Sequence, residues 1–188
     1  MNELPKVAVL DACVLYSSTL RDFLLELALG SLYDARWSDQ IMEEWSRNLL
    51  RNRADLSAGK VAATVAAMNR IFPEATLNAD SAVIAQLVLP DPKDRHVLAT
   101  AIAAEAAIIV TNNLKDFPIS ALRAYSCVAM TPDQFVENLY RLDPAGTLAA
   151  FERQQLQYYK PPCTPGELLE RFTRNSLPQT AAWLRRHR

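Results

Sequence analysis

The spacing of apolar residues changes repeatedly along the chain, and each change marks a predicted element. Val7-Ala-Val-Leu10 is a short, β-branched apolar run that ends at Asp11 and predicts a buried strand. From Tyr16 to Leu29 the apolar residues Leu20, Phe23, Leu24, Leu27 and Ala28 recur at helical spacing, and Gly30 supplies a stop. Ser38 is placed to cap a helix whose Ile41, Met42, Trp45 and Leu49 share one face. Ser57 can open another over Ala58 to Phe72, which Pro73 closes, and Ala79 to Leu87 reads as a short helix. The prolines of Leu89-Pro-Asp-Pro92 exclude helix and predict a rigid loop. A helix from Asp94 to Ala104 follows, with Val97, Leu98, Ala101 and Ile102 inward.

Ala106 to Thr111 is the clearest strand, Asn112 to Pro118 a loop, and Cys127 to Met130 a further strand. Thr131-Pro132 then opens a helix by the cap-then-proline rule. Strands alternating with helices predict an α/β fold with a central parallel sheet flanked by helices. After Asp143 no strand pattern remains, and Tyr158-Tyr-Lys-Pro-Pro-Cys-Thr-Pro165 breaks the tail into two or three short helices. The expected division is residues 1–142 for the α/β body and 143–188 for a small helical C-terminal extension.

Length and composition narrow this further. With 188 residues, 50% hydrophobic and 22% charged, the chain can build one ordinary core with an appendage, but not two full domains. No apolar run is long enough for a bilayer, and Met1-Asn-Glu-Leu-Pro-Lys6 lacks the layout of a signal peptide, so a cytoplasmic protein with no membrane contact is expected. Cys13, Cys127 and Cys163 form no C-x-x-C pair, which predicts buried thiols rather than a zinc site or disulfides. The net charge of −1 hides an asymmetry. Residues 1–138 carry 12 Lys/Arg against 17 Asp/Glu, whereas residues 139–188 carry 8 against 4.

Four acids stand out by position. Asp11 follows the first strand directly, and Asp116 follows the strongest one, so a parallel sheet brings both to the carboxyl edge where ligands bind. Capping of the next helix is the ordinary alternative for Asp11. Glu44 borders the apolar stripe of its helix, with Glu43 further round; Asp94 lies in line with the inward face of its own. An arginine partner for Glu44 and a helix-dipole role for Asp94 are the ordinary alternatives. Oxygen ligands of this kind suit Mg²⁺ or Mn²⁺. Neither His96 nor His187 has a catalytic partner in sequence, and His96 is expected to be a packed helix residue. Only 4 glycines are present, with no G-x-x-x-x-G-K, G-x-G-x-x-G or G-x-S-x-G, which excludes phosphate-cradling loops and disfavours a serine esterase.

These runs resemble the PIN-domain ribonucleases. Val9-Leu-Asp-Ala-Cys-Val-Leu15 is similar to the family's opening strand and aspartate, and Ser38-Asp-Gln-Ile-Met-Glu-Glu-Trp45 to its glutamate-bearing helix. Asp91-Pro-Lys-Asp-Arg-His-Val-Leu-Ala-Thr-Ala101 resembles the third motif and Val110-Thr-Asn-Asn-Leu-Lys-Asp-Phe117 the fourth. The likeness covers about residues 5–140, and small bacterial members of this kind are often VapC-type toxins neutralised by a cognate antitoxin. The resemblance implies a metal-dependent endoribonuclease binding one or two Mg²⁺ or Mn²⁺ ions through Asp11, Glu44, Asp94 and Asp116. Asp91 remains an alternative to Asp94 and Glu43 to Glu44, with helix phase favouring Asp94 and Glu44. Thr111 and Asn113 would orient these acids or touch phosphate, and Arg47, Arg51, Arg53 and Arg95 would hold the RNA backbone. The implied partners are RNA, an antitoxin and a second copy in a homodimer. A phosphatase or structure-specific DNA nuclease using the same acids, or an RNA-binding module without catalysis, are the competing readings.

Overall fold

Deeply buried apolar runs become the middle of the sheet, and short, more exposed runs become its edges. The computed structural model describes residues 7–188; the opening segment considered for a leader lies outside them. The strands are β1 (Val7–Leu10), β2 (Asp34–Arg36), β3 (Ile108–Val110) and β4 (Val128–Met130), all parallel in the order β2-β1-β3-β4. Ala8, Val9 and Leu10 of β1 and Ile109 and Val110 of β3 are fully buried, as central strands covered on both faces require. Leu10 pairs with Val110, so β1 and β3 end level with each other. The Asp11 amide still reaches the Val110 carbonyl at 3.1 Å, which carries the pairing one residue past β1.

The helices are α1 (Ala12–Leu15), α2 (Ser18–Leu29), α3 (Asp39–Asn52), α4 (Ala58–Ile71), α5 (Ser81–Gln86), α6 (Arg95–Ala103) and α7 (Ile119–Leu122). The series continues with α8 (Pro132–Leu142), α9 (Pro144–Gln157), α10 (Pro165–Arg174) and α11 (Pro178–His187). Local chemistry sets many of their starts. Ser38 accepts from the Ile41 amide at 3.2 Å and Ser57 from Lys60 at 3.3 Å, while Thr131 with Gln134 and Thr164 with Glu167 form capping boxes. Two expectations are corrected. The helix expected from Tyr16 begins instead at Ser18, because Ser17 caps it through the Leu20 amide. The strand β2 is not foreshadowed by the pattern: only Ala35 of its three residues is buried, so it carries no apolar run and exists through its pairing with β1.

α6 lies against β1 and β3 and also against α3, which places the start of α6 beside the carboxyl edge of the sheet. The C-terminal helices are not a loose appendage. α9 and α10 pack on α2, and α11 on α8 and α10, with Phe151, Leu168, Phe172 and Leu184 in the same buried cluster as Phe23 and Leu27. The Phe172 ring sits 4.6 Å from that of Phe23 and 5.6 Å from that of Phe151. Asp133, at the start of α8, accepts from the amides of Gln179 and Thr180 and from the Thr180 hydroxyl at 2.7–2.9 Å, fixing the start of α11. No described helix is long and apolar enough to cross a membrane.

Candidate active site

Parallel pairing of β1 with β3 delivers Asp11 and Thr111 side by side. Asp11 occupies the slot before α1, yet its side chain makes no capping bond, so the capping alternative does not describe it. Its Oδ2 instead accepts from the Thr111 hydroxyl at 2.7 Å and from the Cys13 thiol at 3.1 Å. Thr111 is fully buried and its oxygen also accepts from the Asn113 amide at 3.0 Å, so the loop after β3 is tied to the acid on β1. Cys13 corrects a further expectation. Cys127 and Cys163 are buried, but Cys13 is exposed as a residue, with its sulfur turned inward to Asp11 and to the Asn112 amide at 3.3 Å. That crowding, followed by the Asp11 charge, pushes its thiol up to about 12 and keeps it protonated as a donor.

The other acids come from three separate places. Asp94 stands at the start of α6 without a capping bond, and its Oδ2 is buried with no hydrogen-bond partner among the described residues. Asp91 behaves differently: its Oδ1 accepts from the Lys93 amide at 2.9 Å and caps the 3-10 turn Pro92–Asp94. Asp116 closes the 3-10 turn after β3 and accepts a hydrogen bond from the Asn113 side-chain amide. Glu44 lies partly covered on α3 while Glu43 is exposed, as the phase of the helix requires. Instead of an arginine, Glu44 meets His96: Oε2 lies 3.0 Å from Nε2 of a histidine that is only 3% exposed. His96 is thus a packed helix residue, as expected, and it has in addition a carboxylate partner that the sequence did not reveal. Their separation of 52 residues hid the pair from any local pattern.

These carboxylates feel one another. Burial first, and then the charges of Asp11, Asp91, Asp116 and Glu44, push the Asp94 carboxyl up to about 6. Asp11 is likewise raised, chiefly by burial, with the Thr111 and Cys13 hydrogen bonds opposing and Glu44 adding to the rise. Like charges converge here on a covered site that contains an unpartnered oxygen. Among the described residues no group of three or more His, Cys, Asp or Glu side chains is already arranged to hold a metal ion. The donor set nevertheless fits a hard divalent cation: all oxygen, mutually repelling, with one buried lone-pair site unfilled.

Beside these acids, Glu44 and His96 also line a groove of about 900 Å³ between α3, α5 and the start of α6. Arg47, Arg51 and Lys93 line it too, and among the described residues none of the three pairs with a carboxylate. Arg53 is set apart. It grips Asp55 with two bonds of 2.7–2.8 Å and faces a smaller hollow with Trp45 and Lys60. Arg95 is half-buried beside Asp94, its Nε without a partner among the described residues.

The profile of the PIN domain matches residues 7–115, and that of the VapC50 C-terminal domain matches residues 132–186. Over 94 residues the chain is 43% identical to a Mycobacterium tuberculosis protein named "Putative ribonuclease VapC50". That alignment takes in 50% of this chain and 55% of the relative, so the chain spans about half the length of the curated protein it matches. No solved structure matches the chain.

Proposed function

We propose that this chain, which belongs to the PIN-domain family, is a divalent-metal-dependent endoribonuclease and the toxin of a toxin–antitoxin pair. The observation that carries the reading is the buried, unpartnered Oδ2 of Asp94 in the field of Asp11, Asp116 and Glu44. An unpaired buried oxygen surrounded by like charge is costly unless a cation fills the place. Asp11, Glu44, Asp94 and Asp116 would hold Mg²⁺ or Mn²⁺. When bound, such an ion supplies an activated water and neutralises charge on a transferring phosphoryl group.

The protein's own groups set the geometry. Thr111 and Cys13 fix the Asp11 carboxylate, and the Asn113 amide fixes Asp116, so the acids at the ends of β1 and β3 are held before substrate arrives. Arg47, Arg51 and Lys93 give the groove three cations suited to the RNA backbone, set among Asp39, Glu43 and Glu44, and Arg95 adds a cation beside Asp94. Among the described residues no aromatic side chain other than His96 lines the groove, so affinity there rests on charge and hydrogen bonding rather than base stacking.

Purified protein is expected to cut single-stranded RNA in Mg²⁺ or Mn²⁺ and to stop when the ion is chelated. Undiminished cutting in excess EDTA would overturn the metal mechanism. Preference for flapped DNA or a small phosphoester would replace the substrate assignment. A small DNA-binding protein encoded beside this reading frame, able to suppress the cleavage, is the expected antitoxin.

A further inference from the structure

We infer that His96 is a positioning residue that holds Glu44 at the border of the acid centre and the groove, out of pairing with the groove's cations. The inference rests on the reading above that Glu44 belongs to that centre. Asp94 and His96 are two residues apart at the start of α6, and residues so spaced project to different sides of a helix. One faces the acids and the other reaches α3. The His96 ring is 3% exposed, and its Nε2 bonds to Glu44 Oε2 at 3.0 Å, joining α6 to α3. Nδ1 is buried with no partner among the described residues, so the ring has no second polar contact through which to relay a proton. A hydrogen on Nε2 suits this geometry, because that nitrogen then donates to the carboxylate. The backbone of His96 is held in turn by Thr100, whose hydroxyl donates to the His96 carbonyl at 2.8 Å.

Glu44 needs such a tether because of its neighbours. Arg47 lies three residues further along α3, within reach of a carboxylate on the same helix face, and Arg47, Arg51 and Lys93 all line the groove that Glu44 borders. A Glu44 side chain free to rotate would find one of these cations, leaving the centre with one acid fewer and the groove with one cation neutralised. The His96 bond engages one carboxylate oxygen and fixes the rotamer, while Oε1 has no hydrogen-bond partner among the described residues. His96 therefore serves both the acid centre and the groove by keeping opposite charges apart.

Mn²⁺ affinity, read by the decline of the free-ion resonance signal, tests this alongside kcat and KM on single-stranded RNA. Three single variants are needed: His96→Leu, which fills the space without a donor; His96→Gln, whose amide nitrogen reaches toward the Nε2 position; and Glu44→Gln. His96→Leu should weaken Mn²⁺ binding by about 10–100-fold, the usual cost of removing a group that orients a metal ligand. His96→Gln should recover most of that affinity, and His96→Leu should have no further effect in a Glu44→Gln background. Its kcat should fall and KM for RNA should rise, since the released Glu44 neutralises one of the groove cations. If His96→Leu does not fold, His96→Asn replaces it, because its shorter amide cannot reach Glu44 and should weaken Mn²⁺ binding likewise. Wild-type Mn²⁺ affinity in the leucine or asparagine variant, or an equal weakening in the Glu44→Gln background, would overturn the inference alone. Wild-type affinity in Glu44→Gln itself would overturn the reading of Glu44 and the inference with it.

Discussion

Two regions of this molecule bury carboxylates, and they do so in opposite ways. On α2, Glu26 is 4% exposed and receives a hydrogen bond from Arg153 Nε at 2.8 Å and another from the Gln157 amide. Arg153 also donates to the Glu26 carbonyl at 2.8 Å, so α9 is fastened to α2 by a charge whose partners the chain itself supplies. At the end of β1 and the start of α6, by contrast, Asp11 is buried and Asp94 half-buried beside further acids, and one Asp94 oxygen has no partner among the described residues. The first arrangement serves folding. The second works against it, and a group that opposes folding is expected where something outside the chain completes it. The seam with the C-terminal helices is thus a finished structure, whereas the acid centre, on the function proposed above, would be completed by a cation.

The largest effect should come from breaking the finished side. Phe172→Ala removes a fully buried ring from between Phe23 and Phe151 and should cost about 3–5 kcal/mol, measured by the urea midpoint. Whatever fraction of it stays folded should bind Mn²⁺ as wild type does. If the destabilisation is under about 1 kcal/mol, the C-terminal helices are not part of the common core.

Next in size is the unfinished side. Asp94→Asn should lower RNA cleavage on the order of 100-fold or more, because several kcal/mol of charge stabilisation converts at about 1.4 kcal/mol per tenfold. The far-ultraviolet spectrum should be unchanged. An equal loss of activity and fold would remove the distinction between the two regions.

A smaller effect sharpens the contrast through pH. In chelator, folded Asp94 holds its proton up to about pH 6, whereas the unfolded group releases it near 3.8. Because the folded value is the higher one, its contribution to stability is complete below pH 3.8 and is lost as pH rises through about 6. Burial shifts Asp11 in the same direction. Chelated wild type should therefore lose stability between pH 4 and 6, and Asp94→Asn should flatten that slope. A wild-type profile that climbs over this interval and is unaltered by Asp94→Asn contradicts the assigned electrostatics.

The smallest effect concerns Arg185 and Arg186 at the exposed end of α11. Replacing both with Gln should leave the melting point within about 1 °C, since exposed substitutions have little effect on stability. RNA binding should weaken with a flatter salt dependence, by about 0.7 in log–log slope for each single-strand phosphate no longer neutralised. An unchanged slope removes this end of the molecule from the RNA surface.

Much of the fold was legible because its central strands are continuous apolar runs and its helices carry caps in sequence. Val7–Leu10 and Ser38 show this directly. The edge strand Asp34–Arg36 was not legible, since its identity lies in pairing with Val7–Val9 rather than in its own residues. The acids at the strand ends could be singled out from topology, because parallel strands fix which ends come together. The His96–Glu44 bond and the Cys13–Asn112 contact could not, for each depends on a tertiary meeting, across 52 and 99 residues respectively. A faint signal for the first did exist: both residues fall on the inward side of helices that flank the same groove.

The central claim is that the acid centre is completed by a divalent ion, and a pair of thermal melts tests it most directly. Wild type should melt low in EDTA and rise on adding Mn²⁺, gaining about 2.7 kcal/mol when the ion stands at 100 times its Kd. Asp94→Asn, with one charge fewer and an amide in place of the unpartnered oxygen, should melt higher than wild type in EDTA and gain little from Mn²⁺. A wild type indifferent to Mn²⁺, or an Asp94→Asn protein that melts lower in EDTA and responds to the ion in full, would contradict the account.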